Sequence, residues 1–356
     1  MNVRVWAALG AGASLLVGCT RLPPPSIPSS ARPLPAPAAT LANEATAAQD
    51  LELHLIDVGQ GDSTLVICPN GARILIDVGS KGGLNSSEKA AVGEYIRGHL
   101  ANPSSPELDV LVVTHPDGDH YNLIAESLQN VAVHRVIFGG DLDRYVVGGF
   151  ENWLRAFQPS GRLVAPSAGH SDPENAPSDL FDCGGAVVWI LAANVSAGSN
   201  AASNFVNNTP SIVLRLAFGD FEAILTGDAT TVTENAILSN YSASFLDIDV
   251  LKLGHHGSRA TSTSRRWART LSPSMAFSSA SDSNNFGHPS WDVVAVVGDY
   301  TDELAHEHRV RRCAGNGGCE TRDTDERIYD TSAAGTILVT SDGSGFALTC
   351  ERSSGC

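Results

Sequence analysis

The sequence predicts an α/β fold: two β-sheets packed inside, helices outside, in a single large domain. Three observations lead there. Short apolar segments of strand character recur along the chain, and three pairs of them flank turn residues: Pro69-Asn70-Gly71, Gly219-Asp220 and Ser341-Asp342-Gly343-Ser344. Segments of helical periodicity alternate with these pairs. The 356 residues are 42% hydrophobic, enough for a sizeable core, and beyond the N-terminus no run approaches ~18 consecutive apolar residues.

In chain order, residues 51–56 alternate apolar and polar as a half-buried strand does, and residues 63–68 and 72–77 form the first hairpin. Residues 87–100 read as an amphipathic helix. Residues 108–114 are almost continuously apolar, the pattern of a strand covered on both faces. A helix is expected at 121–128, and strands at 132–138 and 186–191. The second hairpin spans 211–218 and 221–226, a short buried strand lies at 249–253, and the third hairpin spans 335–340 and 345–349.

Residues 1–18 hold one basic residue, no acid and an apolar run too short for a permanent span, as in a signal peptide. The run ends in Leu16-Val17-Gly18-Cys19, which resembles a bacterial lipobox. That resemblance implies lipidation of Cys19 and a membrane-anchored lipoprotein, in the outer membrane or cell envelope, with its domain outside the cytoplasm. Residues 19–50 are rich in Pro and Ala, with Pro23, Pro24, Pro25, Pro28, Pro33, Pro35 and Pro37, and are expected to form an extended, unpacked tether. The folded domain is expected over 51–350, and residues 351–356 form a tail. The chain has seven cysteines. With Cys19 set aside the remaining six, Cys68, Cys183, Cys313, Cys319, Cys350 and Cys356, are an even set expected to form disulfides. Cys313/Cys319 and Cys350/Cys356 could each close a short loop, but sequence does not choose among the pairings.

Lys+Arg number 23 against 39 Asp+Glu, for a net charge of −16, and only Lys81, Lys89 and Lys252 are lysines. That balance excludes a broad basic surface for duplex nucleic acid. At 6% aromatic residues, no long stacking groove for single strands is evident. Carboxylates gathered around metal ions remain compatible with it.

The most specific segment is Thr114-His115-Pro116-Asp117-Gly118-Asp119-His120, which follows a buried strand and precedes a helix. One tight loop there can aim two imidazoles and two carboxylates at a common point. His115 and Asp117 would serve one ion, and Asp119 and His120 a second, about 3.5–4 Å away. A helix N-cap would explain Asp119 but not the other three residues.

His-x-Asp-x-Asp-His resembles the His-x-His-x-Asp-His motif of the metallo-β-lactamase superfamily. Leu75-Ile-Asp77-Val-Gly79, Leu225-Thr-Gly-Asp228-Ala and Leu251-Lys-Leu-Gly-His255-His256-Gly257-Ser258 are similar to its other motifs, in the same order. Ile56-Asp57-Val-Gly-Gln60-Gly-Asp62-Ser63, Gly287-His288-Pro289 and the closing segment from Tyr329 narrow the resemblance to the hydrolase domain of ComEC-type competence proteins, here in a free-standing form.

The resemblance implies an αββα sandwich with its site at the edge between the sheets. It implies two divalent ions, Asp228 as their bridge, and Asp77 as a carboxylate that orients a ligand. His255, directly after a strand, is expected to be the second ion's last ligand, and His256 to stand behind it or protonate the leaving group; the reverse order is the alternative. Asp57, Gln60 and Asp62 would line the same edge, with turn-making as the alternative role. No histidine occupies the usual third motif, where Asn207, Asn208 and Ser211 stand instead. Loss of an imidazole and gain of Asp117 make the site harder, and suited to Mn²⁺ beside Zn²⁺.

The expected activity is therefore a two-metal phosphodiesterase or nuclease that uses a metal-bridged hydroxide, with His256 or His288 protonating the leaving oxygen. Ser258 and Arg259, Arg265, Arg266 and Arg269 lie near enough in sequence to help hold an anionic substrate; a solvated helix face is the other reading of the arginines. The alternatives are hydrolysis of a small phosphoester, phosphocholine-type ester, lactone or lactam, or a binding lipoprotein without catalysis. Residues 302–326 form an insert expected to be a disulfide-pinned surface loop or a substrate lid.

Overall fold

The computed structural model describes residues 22–29, 49–102, 104–169, 171–199, 201–282, 284–314 and 318–356. Residues 1–18, expected to be a signal peptide, and Cys19 lie outside them. The strands are β1 (Leu51–Leu55), β2 (Thr64–Ile67), β3 (Arg73–Ile76), β4 (Glu107–Val113), β5 (Ala132–Phe138), β6 (Leu163–Val164), β7 (Val187–Ala192) and β8 (Val213–Phe218). They continue with β9 (Phe221–Leu225), β10 (Val250–Lys252), β11 (Met275–Ser278), β12 (Glu303–Cys313), β13 (Cys319–Glu326), β14 (Ile328–Asp330), β15 (Ile337–Ser341) and β16 (Ala347–Cys350). One sheet runs β16-β15-β1-β2-β3-β4-β5-β6 and the other β14-β11-β10-β9-β8-β7, while β12 and β13 form a separate ribbon.

Period-two alternation assigns each side chain to a layer. Leu53, Val66, Ile74, Val110 and Val112 of the first sheet meet Ile190, Leu214, Ala223 and Phe277 of the second in the central core. Leu65, Leu75, Leu111 and Val113 point the other way, onto helices Ser86–Gly98, Ile124–Ser127 and Phe150–Arg155. On the far side, Leu191, Ile224 and Leu251 bury helices Thr231–Asn240, Arg265–Leu271 and Trp291–Gly298. This is the expected αββα sandwich, and it explains the unbroken apolar run of β4: both of its faces are covered. The crossover helix Ser86–Gly98 between parallel β3 and β4 starts on a capping box, in which Asn85 and Glu88 satisfy each other's backbone N–H groups. Among the described residues, no helix is long and apolar enough to cross a membrane.

Four departures from the sequence reading have physical causes. The expected helix at 121–128 is two short helices, Gly118–Tyr121 and Ile124–Ser127. The break falls at Asn122, whose side chain bonds both the N–H and the C=O of Ser80. The insert at 302–326 is a long antiparallel ribbon, β12–β13, rather than a loop; it is mostly exposed, so it carries no apolar alternation to read. Strand β6, two residues long, is too short to stand out in the sequence.

The fourth departure concerns the segment expected to be unpacked. Leu22 to Ser29 lies along the first sheet's outer layer. Leu22 and Ile27 pack on its apolar cluster, Ser26 bridges Ala132, and the Val133 N–H donates to the Ser26 carbonyl at 2.9 Å. The edge strand β6 pairs with β5 only at Val136 and Ile137, so this strap closes the otherwise open start of β5. Its prolines fix φ in advance, which lowers the entropic cost of holding it extended.

The six cysteines pair as Cys68–Cys183, Cys313–Cys319 and Cys350–Cys356. The first joins the end of β2 to the approach to β7, and so ties one sheet to the other.

Candidate metal centre

The chemistry gathers where parallel strands end. Strands β3 and β4 are parallel in one sheet, and β9 and β10 in the other. The loops after their carboxyl ends carry Asp77, His115 to His120, Asp228, and His255 with His256. Open α/β sheets place ligands at that end.

Glycines set how closely these loops approach. A Cβ on Gly61 would lie 2.0 Å from the Gly79 carbonyl oxygen, and one on Gly79 would lie 2.3 Å from the Asp119 carbonyl carbon. Backbone bonds fill the space instead: Asp62 N–H to Asp119 O at 3.1 Å, Val78 N–H to His120 O at 2.9 Å, and Gly79 N–H to Asp62 O at 3.1 Å. The glycine-rich segment at 57–63 thus braces the metal loop from below.

Asp77 is buried, with φ at +57°. Its carboxylate accepts from Thr114 N–H at 2.8 Å, Thr114 Oγ1 at 2.6 Å and His120 Nδ1 at 2.7 Å. The last bond fixes the His120 tautomer and aims its Nε2 at Asp228 Oδ1, 3.1 Å away. His256 Nδ1 donates in the same way to Ser279 O at 2.8 Å, and its Nε2 lies 3.6 Å from both Asp119 Oδ2 and Asp228 Oδ2. His115 Nε2 is 3.7 Å from Asp228 Oδ2.

These atoms fit metal ions. His115 Nε2 and His256 Nε2 are buried with no hydrogen-bond partner, a costly arrangement for polar atoms that share no ion. Two ligands about 2.0–2.1 Å from one tetrahedral ion stand about 3.4 Å apart, close to the separations here. Four overlapping trios have mutually close ligand atoms: His115-His120-Asp228, Asp119-His120-His256, Asp62-Asp228-His256 and Asp62-Asp77-His120.

The expected order of the two adjacent histidines is exchanged. His256 belongs to two of these trios and His255 to none. Both residues have positive φ, +47° and +54°, and this tight left-handed turn directs the second imidazole inward. His255 stays partly exposed; its Nδ1 lies 2.6 Å from Thr261 Oγ1 and its Nε2 3.6 Å from Asp228 Oδ2. Asp117 is at the rim. Its Oδ1 accepts from Asn207 Nδ2 at 2.7 Å, and its Oδ2 is 4.0 Å from His115 Nε2.

The remaining candidates separate into near and far. Asp62 is inside the centre, but Asp57 faces away: its Oδ1 accepts from Gly59 N–H and its Oδ2 from Arg352, so it makes the turn. Gln60 accepts from Ser281 N–H through Oε1, which ties two loops together. Ser211 Oγ accepts from Asp228 N–H at 3.2 Å, and the Asn208 amide contacts the His255 ring. Ser258 is buried in the turn after His256. His288 is buried at the rim, with its ring centre 5.4 Å from that of His255, beneath the exposed ring of Phe286. Arg259 and Arg265 pair with Asp292 and Asp299 in solvent, as their solvated-face reading has it.

Two lysines were not anticipated. Lys252 is buried on β10, with Nζ 2.6 Å from Asp62 Oδ2 and bonded to Gly227 O. Lys81, half-exposed, reaches Asp119 Oδ1 at 2.7 Å. The signal was present in part: a lysine within Val250-Leu-Lys-Leu253, in a chain with three lysines, has to be paired if that strand is buried.

Electrostatics follow from this crowding. Burial would lower the His120 imidazole, but Asp228 and Asp77 overcome it and hold it well above its usual range. Burial and neighbouring His120 push His115 well below. Burial would raise the Asp119 carboxyl, yet His256 and His120 hold it below its ordinary range. Burial, with His256 and His255 nearby, pushes His288 down to about 3.

Residues 56–277 match the family model of the metallo-β-lactamase superfamily. The chain is 28% identical over 282 residues to ComE operon protein 3 of Bacillus subtilis, covering 76% of this chain and 33% of that protein. It is 26% identical over 250 residues to Recombination protein 2 of Haemophilus influenzae, covering 70% of this chain and 26% of that one. It thus spans about a third or less of these relatives. Among solved structures, CmlA, a diiron β-hydroxylase from Streptomyces venezuelae, is similar at a TM-score of 0.39 and 16% identity, over 71% of this chain and 48% of that one.

Proposed function

Because the chain belongs to the metallo-β-lactamase superfamily of metal-dependent hydrolases, we propose that it is a two-metal phosphodiesterase that cleaves an anionic substrate such as single-stranded DNA outside the cytoplasm. The observation that carries this reading is the convergence of three buried imidazoles with Asp119 and Asp228, several of their atoms lacking any other partner. His115, with Asp117 from the rim, would hold the first ion; Asp119, His120 and His256 the second; and Asp228 both. A pair of divalent ions supplies Lewis acidity and an acidified water. The mixed imidazole and carboxylate donors suit Zn²⁺ or Mn²⁺.

The chain's own residues do the rest. Asp77 holds His120 in one tautomer, and Lys252 holds the Asp62 carboxylate. Lys81 stands at the rim, where an anionic oxygen would arrive. Burial keeps His288 neutral, so it serves a leaving oxygen as a hydrogen-bond donor, not as a charged acid. The name of the relative Recombination protein 2 supports a nucleic-acid substrate. Three disulfides support a place outside the reducing cytoplasm, and the lipobox supports Cys19 as the anchor.

The test is metal analysis of the purified protein, then turnover of single-stranded DNA, a generic phosphodiester and a chromogenic lactam, with Asp119→Ala as control. Phosphodiester turnover that the control abolishes is expected. Lactam turnover alone would assign the site to small substrates. Bound metal without turnover of any of the three would leave a binding protein, and no bound metal after Zn²⁺ or Mn²⁺ addition would refute the centre itself.

A further inference from the structure

We infer that the strap from Leu22 to Ser29 fixes the domain flush against the lipid surface, with the rim of the metal centre beside the bilayer. The placement rests on the reading of Cys19 as the lipid anchor. If the whole segment from 19 to 50 were slack, the domain would range tens of ångströms from the membrane. The strap removes that freedom. Only two residues separate Cys19 from Leu22, and three chain steps span at most about 10 Å. Leu22 is already seated: its Cδ2 lies 3.4 Å from where a Gly148 Cβ would be. Ser26 is hydrogen-bonded to the start of β5, and Ile27 packs on the helical layer.

The surface beside the strap suits a membrane. Next to Gly148, Val146 is 68% and Val147 46% exposed, two of the few large apolar side chains in solvent among the described residues. The strap itself, Leu-Pro-Pro-Pro-Ser-Ile-Pro-Ser, carries no charge. Pro23 lines a groove with Lys89 and Arg97, which can offset the −16 chain against anionic headgroups; Glu126 lines it too. The same loop touches the metal loop: Val147 N–H donates to Tyr121 Oη at 3.1 Å, and Val147 Cγ2 lies 3.3 Å from the Gly118 Cβ position. Substrate would therefore be met at the membrane surface, not in bulk solvent.

The full lipidated chain in phosphatidylethanolamine–phosphatidylglycerol vesicles tests this. An environment-sensitive dye on Val146→Cys is compared with the same dye on Asp220→Cys, in the β8–β9 turn of the other sheet. The expected result is blue-shifted emission and several-fold stronger quenching by brominated lipid at position 146. A Leu22→Asp/Ile27→Asp variant, checked for retained metal content, should float with vesicles yet lose the quenching at 146. Flotation with equal quenching at both positions would overturn the placement alone. Quenching at 146 that survives the double variant would overturn the role of the strap. Failure of the unaltered chain to float would overturn the lipid anchor, and the placement with it.

Discussion

Replacing Lys252 by Met should destabilise the protein by about 3–5 kcal/mol, the usual cost of removing one partner from a buried ion pair. Lys252 is 2% exposed and Asp62 3%, and their charged atoms are 2.6 Å apart. Met preserves the length of the stem and fills most of its space, so the cavity contribution is small. What remains is the Asp62 carboxylate, buried beside Asp77 and Asp228 without its cation, and Gly227 O without its donor. For a domain of this length the loss corresponds to a fall in Tm of about 6–10 °C. The measurement is urea unfolding of four chelator-treated proteins: wild type, Lys252→Met, Asp62→Asn and the double variant. The double variant should be more stable than Lys252→Met alone, because the uncompensated charge is gone. A cost under about 1 kcal/mol for Lys252→Met, or simple additivity in the cycle, would refute the claim that this pair holds the loop.

Other outcomes are specific. Asp77→Ala should weaken metal affinity by about 10–100-fold, read by competition with a chromophoric chelator, because His120 loses the bond that orients it. Metal affinity should rise with pH through neutrality, since the proton on His120 is held well above the ordinary histidine range and has to leave before the ring can ligate; titration calorimetry at several pH values reads this, and a flat profile would contradict it. Gly79→Ala should abolish metal binding or folding, because no Cβ fits against Asp119. Removing Cys68–Cys183, which closes 115 residues, should cost more stability than removing Cys350–Cys356, which closes six; chain entropy gives about 5 against about 2 kcal/mol.

Much of the fold was legible because its strands obey simple periods. β4 and the three hairpins read correctly, since burial on both faces and tight turns leave strong local marks. The β12–β13 ribbon did not, because a ribbon solvated on most of its surface needs no alternation. In the site, the gathering of His115, Asp119 and His120 around one point was legible from spacing, whereas Asp117 stands at its rim. The order of His255 and His256 was not, because it depends on two left-handed backbone conformations that neither residue type announces. Asp57 and Asp62 look equivalent in sequence, yet one faces Arg352 and the other Lys252. Such choices are made by partners hundreds of residues away, which no local pattern records. The strap was misread for the opposite reason: its composition is that of a linker, and only the uncovered end of β5 gives it a place to bind.

The link from Cys68 to Cys183 has one further consequence. Cys68 follows β2 where it meets the first residue of β3, and Cys183 precedes β7, so the bond closes the interface between the sheets at the end remote from Asp77, Asp228 and His256. The two halves of the sandwich are thus sewn together covalently at that end, while at the opposite edge, where the candidate metal ligands stand, non-covalent pairs such as Lys252–Asp62 join them. A chain oxidised first would present that edge already in register, and ions could enter late without refolding either sheet. With the domain outside the cytoplasm, as proposed, metal loading would be a finishing step, separable from folding and open to reversal by a chelator.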